Sequence, residues 1–308
     1  VITVQSISRY DKIHSTAITI GTFDGIHVGH RKILERLINN AKVLGLKSTV
    51  LTFFPHPRMV LQQDVSIQLL NTIEEKVQIM KSLGLDYLII HPFTKDFSRL
   101  SATEFVRDIL VNELKVKKII IGYDHRFGRN RNADINDLIA FGNTLDFQVE
   151  EISAQEINEV SVSSTKIRKA LEEGDIRRAN KYLGYRYMLT GTVVKGKGLG
   201  RKLDFPTANL SIVEDYKLIP KNGVYVVSSV INGKTVYGMM NIGVNPTVAG
   251  TKRTIEINFF YFNQDLYGKK LQIDIIDRIR DEIKFDSLEA LKAQLGKDRE
   301  TSLSLIPK

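Results

Sequence analysis

Apolar and polar positions follow two rhythms along the chain, and the change falls near residue 184. Before it, short β-prone runs take turns with segments of helical period. Strands are predicted at 17–20, 48–54, 87–91, 118–122 and 147–152. Between them, Ile33, Leu34, Leu37, Ile38 and Ala41 predict a helix over 31–44, with Gly45 as its stop. Further helices are expected at 73–83, 101–114, 135–142, 165–171 and 176–183. The second of this set, over 101–114, opens with the capping box Ser101-Ala102-Thr103-Glu104. Lys115 to Lys118 reads as a solvated helix end. Strands alternating with helices predict a parallel sheet covered on both faces, a Rossmann-like α/β domain.

From Tyr185 onward the chain breaks into short strands separated by Gly, Asn and Pro: 187–194, 223–231, 234–243, 254–261 and 270–278. Asn232-Gly233 is a two-residue hairpin turn. This spacing predicts a small closed antiparallel β-barrel, and 287–295 reads as a closing helix. The expected division is residues 1–184 and 185–308.

Composition adds limits. Hydrophobic residues at 43 % and charged residues at 26 % describe a globular chain. No apolar run reaches the length of a membrane span, and the start carries no secretory pattern. Cysteine is absent, which removes disulfides and thiolate metal sites. A soluble cytoplasmic protein is the expectation, and a homo-oligomer is compatible with it. The net charge of +9 asks for anionic partners. The basic clusters at 126–131 and 195–202 are interleaved with glycine, as in loops around small phosphates, so nucleotides are favoured over nucleic acid.

The stretch with most chemistry is Gly21-Thr22-Phe23-Asp24-Gly25-Ile26-His27-Val28-Gly29-His30. A strand runs into a turn with two glycines, and a helix starts at about His27. Unpaired N–H groups at a helix start favour an anion. His27 and His30, three apart, are expected on one face of the first turn, flanking that anion. A metal held by the two histidines is the other reading, but no third ligand is near in sequence. His56, between Pro55 and Pro57, lies at a strand's carboxyl end, where open α/β sheets bind ligands; the two prolines are expected to exclude helix there. Ser163 or Ser164 caps the helix at 165–171, and Arg168 falls in its first turn, unfavourable for the dipole unless a polyphosphate offsets it. In the second half, Gly196, Gly198, Gly200 and Arg201 form a Gly/Lys loop that is not a P-loop. Glu256 stands between Ile255 and Ile257, and a glutamate facing inward needs a partner or a raised pKa.

The opening stretch resembles the HxGH signature of the nucleotidyltransferase superfamily. Thr52-Phe53-Phe54-Pro55-His56-Pro57, Gly122-Tyr123-Asp124-His125-Arg126-Phe127-Gly128 and Ser163-Ser164-Thr165-Lys166-Ile167-Arg168 resemble the other blocks of the adenylyltransferase half of bacterial bifunctional riboflavin kinase/FAD synthetases. Pro206-Thr207-Ala208-Asn209, Pro220–Tyr225, Met240–Thr247 and Arg280–Phe285 resemble the riboflavin kinase half. The resemblance covers nearly the whole chain. It implies FMN synthesis from riboflavin and ATP, then FAD synthesis from FMN and ATP with release of pyrophosphate.

It also implies roles. His27, His30 and Arg168 act electrostatically in adenylyl transfer. Gly21, Thr22, Phe23, Asp24, His56, Asp124, Arg126, Ser164 and Thr165 bind ATP or flavin. Gly196, Gly198, Gly200, Arg201, Asn241 and Arg280 do so in the kinase half. Thr207 and Asn209 hold Mg²⁺, and Glu256 is the base for the ribityl hydroxyl. The family pattern is broken at His125, which replaces a Phe, and at Asp204, Tyr261 and Val248. Asp204 either repels nucleotide or pairs with Arg201 or Lys202, which leaves a weakened kinase half as an alternative. Another HxGH adenylyltransferase, acting on pantetheine phosphate or nicotinamide mononucleotide, fits the opening motif alone. A nucleic-acid-binding flavin sensor fits the charge alone.

Overall fold

The computed structural model describes the chain except residues 63–66, 124, 154–155, 157–161, 197–199, 201–202, 248–249 and 307–308, and the side chains of 245–247 and 250–252. Asp124, Gly198, Arg201, Lys202 and Val248 therefore lie outside the described residues. The chain forms two compact units, Val1–Leu69 with Ile73–Ser163, and Leu70–Thr72 with Ser164–Lys308.

The first unit holds a six-stranded sheet of strands β1 (Ile2–Val4), β2 (Thr16–Ile20), β3 (Lys47–Phe53), β4 (Tyr87–His91), β5 (Val116–Gly122) and β6 (Gln148–Ile152), in the order β1-β4-β3-β2-β5-β6. All pairings are parallel. The order turns back at β2, which pairs with both β3 and β5. Such a switch point opens a crevice outside the strands' carboxyl ends. The motif loops after β2, β3 and β5 all leave from that edge.

Helix α1 (Val28–Leu44) buries Ile33, Leu34, Leu37 and Ala41 and ends on Gly45 in the left-handed region, as the period predicts. The helix α2 (Pro57–Leu61) corrects the expectation at the two prolines. Pro57 stands at the first helical position, where its missing N–H costs no bond. After α3 (Ile73–Ser82) comes α4 (Ala102–Glu104), which continues as a π-helix over Phe105–Glu113. The capping box is present: Ser101 Oγ accepts from Glu104 N at 3.2 Å, and Ser101 N donates to the Glu104 carboxylate at 2.8 Å. Lys117 and Lys118 do not end a helix. They sit in β5 and pair across it with Asp146 at 2.5 Å and Glu150 at 2.7 Å. Helix α5 (Ile135–Leu145) carries a second box, Asp134 with Asp137.

The second unit begins with α6 (Ser164–Glu173) and α7 (Ile176–Leu183). The strands β7 (Met188–Val194), β8 (Ala208–Ser211), β9 (Gly223–Ile231), β10 (Lys234–Thr247), β11 (Gly250–Phe259) and β12 (Lys270–Arg280) close into a barrel, ordered β10-β11-β8-β7-β12-β9. The β9–β10 turn is the two-residue hairpin expected, with Asn232 at φ 52° and Gly233 at φ 77°. The closing helix α8 (Leu288–Leu305) runs ten residues past its predicted end. Among the described residues no helix is long and apolar enough to cross a membrane.

Candidate active sites

In the first unit the turn after β2 bends sharply. Phe23, Gly25 and Ile26 have φ of 45°, 85° and 37°. A β-branched residue at positive φ is held there only by its surroundings. A Cβ on Gly21 would come to 3.1 Å from the Phe23 ring, closer than an ordinary contact. The Thr22 carbonyl accepts from Thr52 Oγ1 at 3.2 Å and from the buried Lys76 Nζ at 2.6 Å.

His27 is the N-cap of α1 and not a member of its first turn. Its Nδ1 accepts from His30 N at 3.3 Å. The two rings stack with centroids 3.7 Å apart, nearly parallel. The Phe23 edge meets the His30 ring at 5.1 Å. Burial pushes the His27 imidazole down to about 4, against the pull of Asp24. Burial, then the charges of His27 and Lys76, holds His30 well below the ordinary imidazole value. Both rings are therefore neutral near pH 7, and the buried His30 Nδ1 has no hydrogen-bond partner among the described residues. A neutral ring still donates one hydrogen bond. The pair suits the oxygens of a phosphate. No cluster of three His, Asp or Glu that could hold a metal occurs among the described residues.

His56 caps α2, its Nδ1 accepting from Arg58 N at 3.2 Å. Arg126 is exposed after β5. Ser164 and Thr165 open α6, and Arg168 is its fifth residue, just past the first turn; these three belong to the second unit. Lys76 and Thr52 were not singled out from the sequence. Lys76 interrupts the apolar face of α3 that also buries Ile79 and Met80, which is the one signal that marks it.

In the second unit, Glu256 of β11 stands opposite Asn209 of β8 on one side and Asn241 of β10 on the other. Opposed residues share a face. Ile255 and Ile257 are buried, whereas Glu256 is half-buried, so Glu256 does not face inward among them. It joins the two asparagines on the polar face. A Cβ on Gly196 would overlap the Asn209 side chain, and one on Gly200 would overlap the Phe205 carbonyl. A Cβ on Gly243 would meet the Glu282 carboxylate and lie 3.1 Å from the Asn241 amide. Backbone thus approaches this polar row at two glycines, Gly196 and Gly243, and a Cβ would fill the cradle beside Asn209. Thr207, half-buried, lies two residues before Asn209. The Asn209 amide oxygen in that cradle, and the Thr207 hydroxyl by its chemistry, suit a hard divalent cation. Glu282 was missed by the sequence reading.

Two charged residues are engaged elsewhere. Asp204 pairs with Lys292 at 2.6 Å; its expected partners Arg201 and Lys202 lie outside the described residues. Arg280 forks on Asp298, with contacts of 2.8 and 2.6 Å, and its Nη1 donates to the Asp281 carbonyl at 2.9 Å.

Residues 10–166 match the family model described as FAD synthetase, and residues 183–306 match the one described as riboflavin kinase. The chain belongs to the bifunctional riboflavin kinase/FMN adenylyltransferase family. A protein of that name from Buchnera aphidicola subsp. Schizaphis graminum is 38 % identical over 96 % of both chains. One from Listeria monocytogenes is 37 % identical, covering 94 % of this chain and 92 % of its own. The Escherichia coli K12 protein is 35 % identical over 92 % and 91 %. A crystal structure described as a macrolide-efflux protein from Streptococcus pneumoniae superposes with a TM-score of 0.88, at 32 % identity over 98 % of both chains. The bifunctional family has two transferase activities, riboflavin kinase and FMN adenylyltransferase, and this chain carries a module for each. Both reactions draw on ATP, typically with a divalent metal.

Proposed function

We propose that the stacked His27–His30 pair is the adenylyl-transfer site and that the Asn209–Glu256–Asn241 row is the riboflavin phosphorylation site, with the functional boundary after Gly184. The observation that carries this reading is the neutral histidine pair, with a His30 Nδ1 that has no partner among the described residues, at the switch-point edge of the parallel sheet.

In adenylyl transfer the phosphate of FMN attacks the α-phosphorus of ATP, the new P–O bond forms, and pyrophosphate leaves. The nucleophile is already an anion, so no base is needed. The chain has to align two polyanions and stabilise the charge that moves onto the leaving group. His27 and His30 donate to phosphate oxygens. Gly21, Thr22, Phe23 and Asp24 shape the turn, and resemblance assigns His56, Asp124 and Arg126 to ATP or flavin binding. Resemblance assigns Ser164, Thr165 and Arg168 to the ATP phosphates.

In the kinase reaction a ribityl hydroxyl attacks the γ-phosphorus and ADP leaves. An alcohol has to lose its proton on the way, and Glu256 accepts it. Thr207 and Asn209 would hold Mg²⁺, which when bound neutralises phosphate charge. Gly196, Gly198, Gly200, Arg201, Asn241 and Arg280 complete the nucleotide and flavin contacts. The setting for both reactions is the cytoplasm.

The test is reciprocal. Riboflavin and ATP are supplied to Glu256→Gln, and FMN and ATP to His30→Ala, with flavins separated by chromatography. Glu256→Gln is expected to lose FMN formation by about 100-fold or more and to keep FAD formation from FMN. His30→Ala is expected to show the reverse. Loss of both activities in either variant contradicts separate sites.

A further inference from the structure

The mechanism above gives no task to the buried cation of Lys76. Lys76 on α3 is only 5 % exposed, and its Nζ donates to the Thr22 carbonyl at 2.6 Å and lies 3.5 Å from Thr52 Oγ1. A lysine is almost never fully buried unless paired. Here it grips the carbonyl that opens a turn with three positive φ values, two of them at non-glycine residues. That turn places both histidines. We propose that Lys76, as an ammonium, is a positioning residue for adenylyl transfer: it locks the Thr22–Ile26 turn and supplies the fixed positive charge behind the phosphate site.

The proposal rests on the reading of the His27–His30 turn as that site. Its electrostatics fit. The titratable groups around the ammonium are Asp24 in the turn, His30 on α1 and, stacked on His30, His27. Burial pushes Lys76 down to about 8, and Asp24 works against that shift. Lys76 in turn lowers His30, so the charge is carried by the lysine while the imidazoles stay neutral donors. A fixed cation close to where triphosphate charge builds needs no reorganisation during reaction.

The absence of cysteine from the chain permits a selective test. Lys76→Met is expected to slow FAD formation by about 10- to 100-fold, with riboflavin phosphorylation by the same molecules within about twofold of the parent as the check on folding. Lys76→Cys should behave likewise. Alkylation with 2-bromoethylamine restores an ammonium at that position alone and should recover FAD formation. The new amine is less basic than lysine. Activity needs the protonated form, so the alkaline fall in kcat/KM, expected near pH 8 in the parent, should move to lower pH, with the kinase profile unmoved. In the ligand-free Lys76→Met variant the His30 ring resonance should titrate at higher pH than in the parent.

Full FAD formation by Lys76→Met, or no recovery on alkylation of Lys76→Cys, overturns the inference. The parent reading fails separately, through unimpaired FAD formation by His30→Ala.

Discussion

Removing the Asp298 carboxylate should cost the barrel unit more stability than a surface ion pair can. Asp298 is 1 % exposed and takes both arms of the Arg280 fork, at 2.8 and 2.6 Å. Its Oδ1 also accepts from Gln294 Nε2 at 2.8 Å. Breaking a buried pair by deleting one partner leaves a desolvated charge, worth about 3–5 kcal/mol. The Arg280 side chain keeps 17 % exposure and its bond to the Asp281 carbonyl. Those two facts place Asp298→Ala at the lower end, about 3 kcal/mol. For a unit of this size that lowers the midpoint of thermal unfolding by about 6–12 °C. Tryptophan is absent, so unfolding is followed by far-UV circular dichroism. The double variant Arg280→Met/Asp298→Leu removes both charges and should recover most of the loss. An Asp298→Ala midpoint within 1–2 °C of the parent would refute the reasoning, since it would mean that the guanidinium finds water or another partner at no cost.

Two further outcomes follow from the sites. Above pH 6.5, His27 is neutral in both folded and unfolded chains; as pH falls, the unfolded chain takes up the proton first, because burial pushes the folded value down to about 4. The ligand-free protein should therefore lose stability between pH 6.5 and 4, by roughly 3 kcal/mol from this residue at most. His27→Asn keeps a capping acceptor and should flatten that part of the denaturant-midpoint curve; an unchanged slope would count against burial as the cause. Gly196→Ala drives a Cβ into the Asn209 side chain. It should lower riboflavin phosphorylation about 10-fold or more while FAD formation from FMN persists, and equal rates for both reactions would show that the loop simply yields.

The α/β alternation and the change to short strands were legible because both rhythms come from burial, which the apolar spacing records directly. Gly45 and Gly184 marked helix ends because each takes the left-handed position after the last turn. The errors have local causes. Two prolines around His56 read as helix breakers, yet Pro57 occupies the one helical position that tolerates it. The lysines of 115–118 looked solvated because their carboxylate partners Asp146 and Glu150 are some thirty residues away in sequence. Glu256 was read as inward-facing from its neighbours at one residue's distance, whereas in a strand those neighbours point to the other face. Lys76, Glu282 and Asp298 escaped for a common reason: each matters through a partner on a distant segment, and no period in the chain announces that pairing.

The two reactions ask opposite things of their titratable groups. A phosphate nucleophile arrives charged, so the adenylyl site gains from donors that hold no proton in reserve. On the assignment proposed above, burying two histidines next to a lysine achieves that, because the desolvated imidazoles stay neutral and keep an N–H to give. An ionised pair in the same place would repel Lys76 whenever ATP is absent. A hydroxyl nucleophile arrives with its proton, so the kinase site needs an acceptor. Glu256 stays half-exposed between two asparagines, whose amides can align a carboxylate without competing for the proton. Exchanging the two arrangements would fail on both sides. A carboxylate in place of the imidazole pair would have no N–H to give the phosphate oxygens, and a neutral buried imidazole with its pKa near 4 is too weak a base for an alcohol. That asymmetry gives a physical reason for one chain to keep two separate sites, although both use ATP and both handle a flavin.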